Sequence, residues 1–362
     1  MSAEIPLEFD GYMAPVTLHF DTEASPQYLY KLKEAINSQL KDHSKFFKLP
    51  VMKLTTFPCN LLQHANWITD VCMSFNHFTM IPVNVQLKRL TVDHNKLTSP
   101  FTVPIHIETI YVDSNNLKKV VLKNGNDNKE VFCSNNLIET IVGDFSKIQK
   151  LVCSNNQIKK LLLGESFISH LNCGNNRISE LTLPLTLTHL LAYTNELDGP
   201  LDLRRYERLR YINVVGNNLS SLLLPPYAQT VECSSNSIKY LKVRDNVLYL
   251  LCSNNQLDTV YLHTKLKYVT LENNPLRKVV FRGTPSDIAG LNLKNTNIKI
   301  VTPYAFLEKV INEYECSNDM KTRVKKIPII ITNSSAYCIQ KWWKKRTWNA
   351  IPEDCSVLEI DI

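Results

Sequence analysis

The stretch LVCSNNQIKKL, residues 151–161, decides the fold because close variants of it recur along the chain. VFCSNNLIETI begins at residue 131, LNCGNNRISEL at 171, VECSSNSIKYL at 231 and LLCSNNQLDTV at 250. Self-similarity at a short fixed period indicates one structural unit that is stacked many times. We therefore expect one long repeat array rather than several ordinary domains within the 362 residues.

An asparagine marks each repeat. The template L-x-x-L-x-L-x-x-N-x-L fits throughout, with Cys, Val or Ala allowed at the third apolar place, and its asparagine recurs at steps of 19 to 22 residues. Backbone amides that turn through the interior need partners, and a buried amide side chain can supply them. We predict a structural asparagine ladder formed by Asn76, Asn95, Asn115, Asn136, Asn156, Asn176, Asn195, Asn217, Asn236, Asn255 and Asn274, with Thr296 in a twelfth unit.

Residues 65–302 resemble the leucine-rich repeat family in its short class of about 20 residues per repeat. LTLPLTLTHLLAYTNEL (181–197) and LLLPPYAQTVECSSNSI (222–238) are similar to the bacterial effector type. The CSNNQI and CSNNQL wording is also similar to repeat proteins encoded by large DNA viruses. The resemblance implies an α/β-type repeat solenoid, a horseshoe with a parallel β-sheet on the concave face and a short irregular convex side. It also implies a role in protein–protein interaction.

The array is expected to be capped at both ends, because terminal repeats expose an apolar face that needs cover. Residues 1–50 predict a β-hairpin turning near Asp10-Gly11 and a helix with Ser25 as its N-cap, either as a cap or as a separate recognition module. Residues 51–302 form the solenoid of about 12 repeats, and 303–362 form a second cap with a basic, tryptophan-rich helix.

Cysteines fill the third apolar place of several repeats. A free cysteine behaves as a small hydrophobe, so we interpret these residues as core filler. A metal or redox column is the alternative, although no CxxC pair is present. The residues concerned are Cys133, Cys153, Cys173, Cys233 and Cys252.

The composition also bears on the compartment and on cofactors. The N-terminus lacks a secretory signal, and the chain has no apolar run long enough to span a membrane. We expect a reducing compartment, the cytoplasm, or host cytoplasm or virion if the protein is viral. Glycine is scarce and no phosphate-binding glycine motif is present, so no cofactor is predicted.

The chain's excess positive charge is concentrated near its end. Between residues 316 and 349 there are eight Lys or Arg and one acid, which equals the net charge of +7 for the whole chain. The segment 339–346 resembles an IQ motif, although Lys345 replaces the usual glycine and Asn349 the late basic residue. A solvated cap helix competes here with docking to an acidic or calmodulin-like protein, to nucleic acid or to a membrane surface. The basic patch comprises Lys325, Lys326, Lys341, Trp342, Trp343, Lys344, Lys345 and Arg346.

The outward positions of the predicted strands carry aromatic, polar and apolar side chains, with six acids and three bases. Exposed aromatic and apolar side chains mark protein interfaces, whereas nucleic acid would require more Lys and Arg. We expect Val152, Leu191 and Leu251 to be exposed, and the face to bind a protein partner. Alternatively, its rings only pack on one another as ladder neighbours. The candidate binding residues are Tyr111, Phe132, Lys150, His170, His189, Leu191, Tyr193, Tyr211, Glu232, Tyr249 and Tyr268.

One constellation could suggest catalysis. His170 and His189 occupy equivalent places in successive repeats, with Glu130, Asn172 and Tyr193 at related positions. Two histidines without a third ligand make a weak metal or acid–base site, and a polar outer face explains them equally well. We therefore predict a non-catalytic scaffold that binds a protein on its concave face. The alternatives are a structural part of a large assembly such as a virion, docked through the basic patch, and binding of nucleic acid or an acidic surface by the C-terminal helix.

Overall fold

The computed structural model describes residues 2–9, 12–20, 25–82, 86–98, 100–282, 288–296 and 299–301. They form two compact units, unit 1 up to Ile158 and unit 2 from Lys159 onward. The turn predicted at Asp10-Gly11 lies outside the described residues. So do the cap predicted for 303–362 and the whole basic patch from Lys325 to Arg346.

Unit 1 begins with an antiparallel hairpin of β1 (Ser2–Phe9) and β2 (Tyr12–His19), followed by α1 (Pro26–Lys41) and, later, the short α2 (Cys59–His64). The Ser25 side chain accepts a hydrogen bond from the backbone N–H of Tyr28, so α1 begins at a side-chain cap followed directly by proline. Its buried face consists of Leu32, Ile36 and Leu40, spaced for one side of a helix.

Nine further strands form the stacked part of unit 1. They are β3 (Phe46–Lys48), β4 (Asp70–Cys72), β5 (Arg89–Thr91), β6 (Phe101–Val103), β7 (Thr109–Tyr111), β8 (Lys119–Leu122), β9 (Glu130–Phe132), β10 (Thr140–Gly143) and β11 (Lys150–Val152). β3, β4, β5, β7, β9 and β11 pair in that order as parallel neighbours. This sheet therefore starts at Phe46, inside the segment that the sequence analysis assigned to the N-terminal cap.

Unit 2 contains fifteen described strands. They are β12 (Lys160–Leu162), β13 (His170–Asn172), β14 (Glu180–Thr182), β15 (His189–Leu191), β16 (Asp198–Asp202), β17 (Tyr211–Asn213), β18 (Asn218–Leu223), β19 (Thr230–Glu232), β20 (Tyr240–Leu241), β21 (Tyr249–Leu251), β22 (Thr259–His263), β23 (Tyr268–Thr270), β24 (Lys278–Arg282), β25 (Gly290–Asn292) and β26 (Lys299–Val301). β13, β15, β17, β19, β21, β23 and β25 form a parallel sheet.

We call these two sets of parallel strands the ladder strands. Most have three residues, and the middle side chain points into the core, as Ile110 in β7 and Leu190 in β15 do with no exposed surface. Because successive strand residues alternate between faces, the first and third residues lie on the opposite side. The chain is thus a solenoid of parallel strands, as predicted.

The other side of the turns is more regular than predicted. Instead of a purely irregular connection, short parallel strands run through both units: β6 pairs with β8 and β8 with β10 in unit 1. In unit 2, β12 pairs with β14, and β16–β18–β20 and β22–β24–β26 form two further sets. Alternation explains these strands, since Leu161 and Leu163 point inward around Leu162, which is 59% exposed.

Most ladder asparagines join two successive turns. The Asn115 Oδ1 accepts the Leu97 N–H of the preceding turn at 2.9 Å. Its Nδ2 donates to the carbonyls of Val92, in the preceding turn, and of Val112, in its own turn, both at 3.1 Å. Equivalent bonds are made by Asn95, Asn136, Asn156, Asn195, Asn217, Asn236, Asn255 and Asn274. One amide therefore satisfies backbone groups that would otherwise be buried without partners.

The residue before each ladder asparagine has a left-handed backbone. Asn135, Asn155 and Asn254 have φ values of 55°, 55° and 54°. Asparagine tolerates this conformation better than other residues with a Cβ. This accounts for the repeated Asn-Asn pair, whose first member takes the left-handed turn while the second is the buried amide. The same conformation occurs at Phe75, His94, Ser114, Asn175, Thr194, Ser235, Asn273 and Asn295, and glycine takes it at Gly216.

The cysteines at the third apolar place are free thiols with no exposed surface. Burial raises the pKa of Cys173 to about 12, so that this sulfur stays protonated and apolar in character. Among the described residues, no group of three or more His, Cys, Asp or Glu side chains is placed to hold a metal ion. No described helix is both long enough and apolar enough to cross a membrane.

Candidate interaction surface on the ladder strands

The ladder face is the surface formed by the first and third residues of the ladder strands and by the second residue after each strand. Adjacent parallel strands lie about 4.8 Å apart, so equivalent side chains stand one above another. This spacing favours flat rings, which can cover one another without a gap. The predicted binding residues all lie on this face, but they fall into two separate sets, one in each unit.

In unit 1 the face contains a compact aromatic cluster. The rings of Tyr111 and Phe132 stack with centroids 4.4 Å apart and planes 11° apart. The Lys150 ammonium lies over the Phe132 ring at 4.8 Å, in cation–π geometry. Val152 completes a buried cluster with the two rings. Burial lowers the pKa of Lys150, and the nearby Glu130 opposes that shift.

The exposure predicted for this face is wrong at several positions. Val152 is 5% exposed and Leu191 is 3% exposed, and Tyr111 and Phe132 are equally buried. Leu251 is half-buried rather than open. Cross-strand packing is the physical reason, since a side chain in the third strand position is covered by its equivalents in neighbouring strands. The alternative interpretation, in which these side chains pack on one another as ladder neighbours, therefore describes Tyr111, Phe132, Val152 and Leu191 better than free contact residues do.

In unit 2 a row of rings follows the first position of successive strands. The imidazoles of His170 and His189 stack at 4.4 Å with planes 12° apart, and Tyr211 continues the row at 6.1 Å from His189. Further along, Tyr249 and Tyr268 stack at 5.9 Å. Both histidines and the last two tyrosines are half-buried, so one edge of each ring reaches solvent.

The hydrogen bonds fix the tautomer of His189. The Thr188 hydroxyl donates to the Ser169 carbonyl at 2.8 Å, so its oxygen accepts from His189 Nδ1 at 2.9 Å. In the neutral ring, Nε2 keeps its lone pair and is an acceptor. Burial lowers the pKa of His189 to about 4, and the charge of His170 adds to that shift. His189 is therefore neutral at physiological pH.

A buried carboxylate lies in the middle of the same face. Tyr211 donates its phenol proton to Glu232 at 2.6 Å, and the Asn213 amide donates to the other carboxylate oxygen at 2.8 Å. Glu232 is 1% exposed, and burial raises its pKa to about 7, although the bond from Tyr211 opposes the shift. Glu232 and Tyr211, both predicted as contact residues, therefore hold strands β17 and β19 together.

Tyr193 lies over a glycine. A Cβ built on Gly174 would lie 2.4 Å from two ring carbons of Tyr193. The equivalent place in several other repeats is serine, as at Ser134, Ser154 and Ser234. LNCGNN therefore departs from the usual CSNN where the next repeat supplies a tyrosine at the same place. The half-buried Tyr193 ring therefore rests directly on the backbone of the preceding turn.

The histidine pair is not assembled into a catalytic site by the described residues. Asn172 uses its side-chain oxygen to accept the Gly174 N–H at 3.2 Å, within its own turn. Ser169 lies 2.8 Å from His170 Nδ1. Glu130 belongs to unit 1, and the two histidines belong to unit 2. The arrangement offers stacked ring edges and hydrogen-bonding groups on the ladder face.

Comparison with solved structures agrees with this architecture. YopM, a leucine-rich effector protein from Yersinia pestis, superposes with a TM-score of 0.61 at 20% identity, covering 83% of this chain and 84% of that chain. The leucine-rich repeat domain of APL1B gives 0.62 at 18% identity, covering 86% and 96%. The fold is that of the leucine-rich repeat proteins.

A leucine-rich repeat receptor is also similar in fold. The Arabidopsis receptor kinase HAESA, solved in complex with the peptide hormone IDA and the co-receptor SERK1, gives a TM-score of 0.51 at 16% identity. That comparison covers 68% of this chain and 52% of HAESA. The sequence itself matches no protein-family model and no curated protein. At these identities the likeness establishes the fold alone.

Proposed function

We propose that this leucine-rich repeat protein is a non-catalytic scaffold that holds a partner protein on its ladder face. The observation that carries the proposal is the row of half-buried rings in unit 2, formed by His170, His189, Tyr193, Tyr249 and Tyr268. Aromatic side chains contribute large contact areas at low entropic cost, especially when their rotamers are already fixed.

Two features of the unit 2 face and one solved structure support this role. Its rings are fixed by stacking and by short hydrogen bonds, so binding a partner would cost little side-chain entropy. The buried pair Tyr211 and Glu232 ties neighbouring strands together beneath the contact groups. HAESA, similar in fold, was solved with a peptide and a protein bound.

Photo-crosslinking tests the proposal with matched tyrosines. We would replace Tyr249, on the ladder face, with a photoreactive phenylalanine analogue and irradiate the protein in its native cell extract. The control is Tyr240, which is 55% exposed on β20, outside the ladder face. We expect protein adducts from position 249 and none of the same mass from position 240. Equal adducts from both positions, or adducts from 240 alone, would contradict binding on the ladder face.

A second contact is suggested by the charge of the C-terminal segment. Residues 316–349 carry eight Lys or Arg against one acid, so the basic patch from Lys325 to Arg346 would suit an acidic protein, including a calmodulin-like one, a large assembly such as a virion, or nucleic acid. Charge reversal at Lys341, Lys344 and Lys345 tests this contact. Loss of all captured proteins would make the patch the main docking site, whereas retention would leave the ladder face in that role.

The compartment is also a proposal. The described cysteines are free thiols, and those at the third apolar place are fully buried in the core. We infer a reducing compartment such as the cytoplasm, where thiols persist. A thiol count of the purified native protein under denaturing, non-reducing conditions checks this, because disulfide-linked cysteines would escape alkylation.

A further inference from the structure

The turns that precede the ladder strands form one edge of each unit, and this edge differs in charge between the units. In unit 1 its charges are paired between neighbouring turns: Lys129 contacts Glu108 at 2.7 Å, and Lys147 contacts Asp127 at 2.8 Å. In unit 2 the positions equivalent to Lys129 hold Ser169, Thr188, Arg210, Gln229, Leu248, Lys267 and Ala289. The acids that neutralise this edge in unit 1 therefore have no counterpart at these positions.

One turn accounts for most of the difference. The residues between β16 and β17, 203–210, read LRRYERLR and are two more than the six between β18 and β19, 224–229. This accounts for most of the long step of 22 residues between Asn195 and Asn217. Insertions within a repeat protein commonly map to one face, and often to the binding face. Here the longer turn adds arginines and not apolar residues.

The arginines of this turn differ in their ion pairing. Arg204 is paired with Asp202 at 2.6 Å, but in the part of the chain that the structure describes Arg205, Arg208 and Arg210 form no ion pair. The Arg210 guanidinium is fixed by the Glu207 carbonyl at 2.6 Å and lies 5.0 Å above the Tyr227 ring.

Neighbouring turns extend the positive charge. We call the arginine edge the set Arg205, Arg208, Arg210, Arg244, Lys265 and Lys267. Glu207 and Asp245 lie on the same turns, so the edge keeps a net positive charge. Most of these cations are exposed, and Tyr227 among them is 51% exposed. Such a surface attracts an anionic partner, and guanidinium groups favour bidentate contact with carboxylates.

We propose that the arginine edge of unit 2 is a second interaction surface, which binds an acidic, extended segment of a partner protein through its Asp and Glu carboxylates. A single-stranded nucleic acid is less well matched, because stacking of successive bases needs several exposed rings and Tyr227 is the one exposed ring on turns 203–210 and 224–229. This surface is distinct from the ladder face, so either can fail without the other.

The test uses a defined probe and two matched variants of the full chain. The probe is a fluorescein-labelled peptide of alternating Glu and Ser, about eight residues long, which spans ~28 Å when extended and covers four turns of about 4.8 Å each. An uncharged comparison peptide has Gln in place of each Glu. The edge variant combines Arg205→Gln, Arg208→Gln and Lys265→Gln. The control variant combines Lys159→Gln, Lys239→Gln and Lys278→Gln. These changes remove the same charge at exposed positions on or directly before β12, β20 and β24.

We expect the wild type to bind the Glu peptide more tightly than the Gln peptide. The edge variant should lose roughly tenfold in affinity, or about 1.4 kcal/mol, because exposed ion pairs are individually weak and three of them are removed. The control should stay within about twofold of the wild type, since its lysines lie on or directly before β12, β20 and β24 and not on the turns that precede the ladder strands. An equal loss in both variants would overturn the proposal, because it would reflect net charge alone.

A third arm separates the two anionic partners. Oligo(dT) of the same charge is measured beside the peptide, and tighter binding of the oligonucleotide to wild type but not to the edge variant would replace the acidic protein with nucleic acid. Circular dichroism melts accompany every variant. If the triple variant melts early, the single change Arg208→Glu at an exposed position is used, and an unchanged affinity for the Glu peptide then overturns the proposal.

Discussion

The Tyr211 phenol donates a hydrogen bond of 2.6 Å to Glu232 across two neighbouring ladder strands, in a site where the carboxylate is 1% exposed. Burial of an ionised carboxylate is unfavourable unless hydrogen bonds compensate for lost hydration. Tyr211 and Asn213 supply that compensation, and they do so at the centre of the face that we propose for partner binding. Stability and recognition therefore depend on neighbouring side chains of the same rows.

Glu232 should make stability depend on pH. Its pKa is about 7 in the folded chain and about 4.3 in the unfolded chain. Its contribution to the free energy of unfolding is therefore fully present below pH 4.3 and is lost as pH rises through about 7. Glu232→Gln should remove roughly 3 kcal/mol of this dependence between pH 4.5 and 8. Urea unfolding at both pH values measures it, with the exposed Glu139→Gln as control. An unchanged pH slope in Glu232→Gln would show that the carboxylate is ionised throughout.

His189 should act in the opposite direction over the same pH range. Its pKa falls from about 6.5 in the unfolded chain to about 4 in the folded chain. Its contribution to the free energy of unfolding is therefore present above pH 6.5 and is lost as pH falls towards about 4. His189→Gln should flatten the acid limb of the stability curve. In NMR titrations, His170→Gln should raise the His189 midpoint by removing the neighbouring charge. A His189 midpoint near 6.5 in the wild type would disprove the burial effect.

Within each Asn-Asn pair, the two positions should respond differently to substitution. Asn255→Ala removes the acceptor of the Ile238 N–H and the donor to Cys233, leaving buried backbone groups unpaired at about 1–3 kcal/mol each. Asn254→Gly keeps a positive φ of 54° without strain, so we expect a change below about 1 kcal/mol. Urea unfolding free energies decide the matter. Similar losses for the two variants would refute the division of roles.

Gly174→Ala should destabilise unit 2 through a clash with Tyr193. The added methyl would lie 2.4 Å from ring carbons, and such overpacking costs about 1–3 kcal/mol. The control is Gly164→Ala, whose nearest neighbour would be 3.9 Å away. In a double-mutant cycle, Tyr193→Ala should rescue most of the loss. Absence of rescue would place the cause in the backbone rather than in the ring contact.

The repeat register could be predicted because it depends on local sequence. The step from Asn136 to Asn156 places a strand, a turn and a buried amide at fixed offsets, and the structure has all three. The exposure of the side chains at the third strand position could not be predicted in the same way. Whether Val152 or Leu191 is exposed depends on its neighbours in adjacent strands, which the repeat template leaves variable.

The arginine edge shows a different limit. Its sequence signal is the long step from Asn195 to Asn217. This signal is weaker than the dense positive charge after residue 316. Arg205 and Arg210 become informative only once the paired Lys129 and Glu108 are seen at the equivalent edge of unit 1. Lone charges along a sequence do not reveal which of them lack partners in space.

The bonds of the ladder asparagines have a direction along the chain. Asn136 serves the Leu117 N–H, and Asn156 serves the Ile138 N–H, so each turn is completed by a residue about 20 positions later. During synthesis the N-terminal part emerges first. The most recently synthesised turn therefore lacks these hydrogen bonds until the next asparagine has emerged from the ribosome. Folding then follows translation with a lag of one repeat.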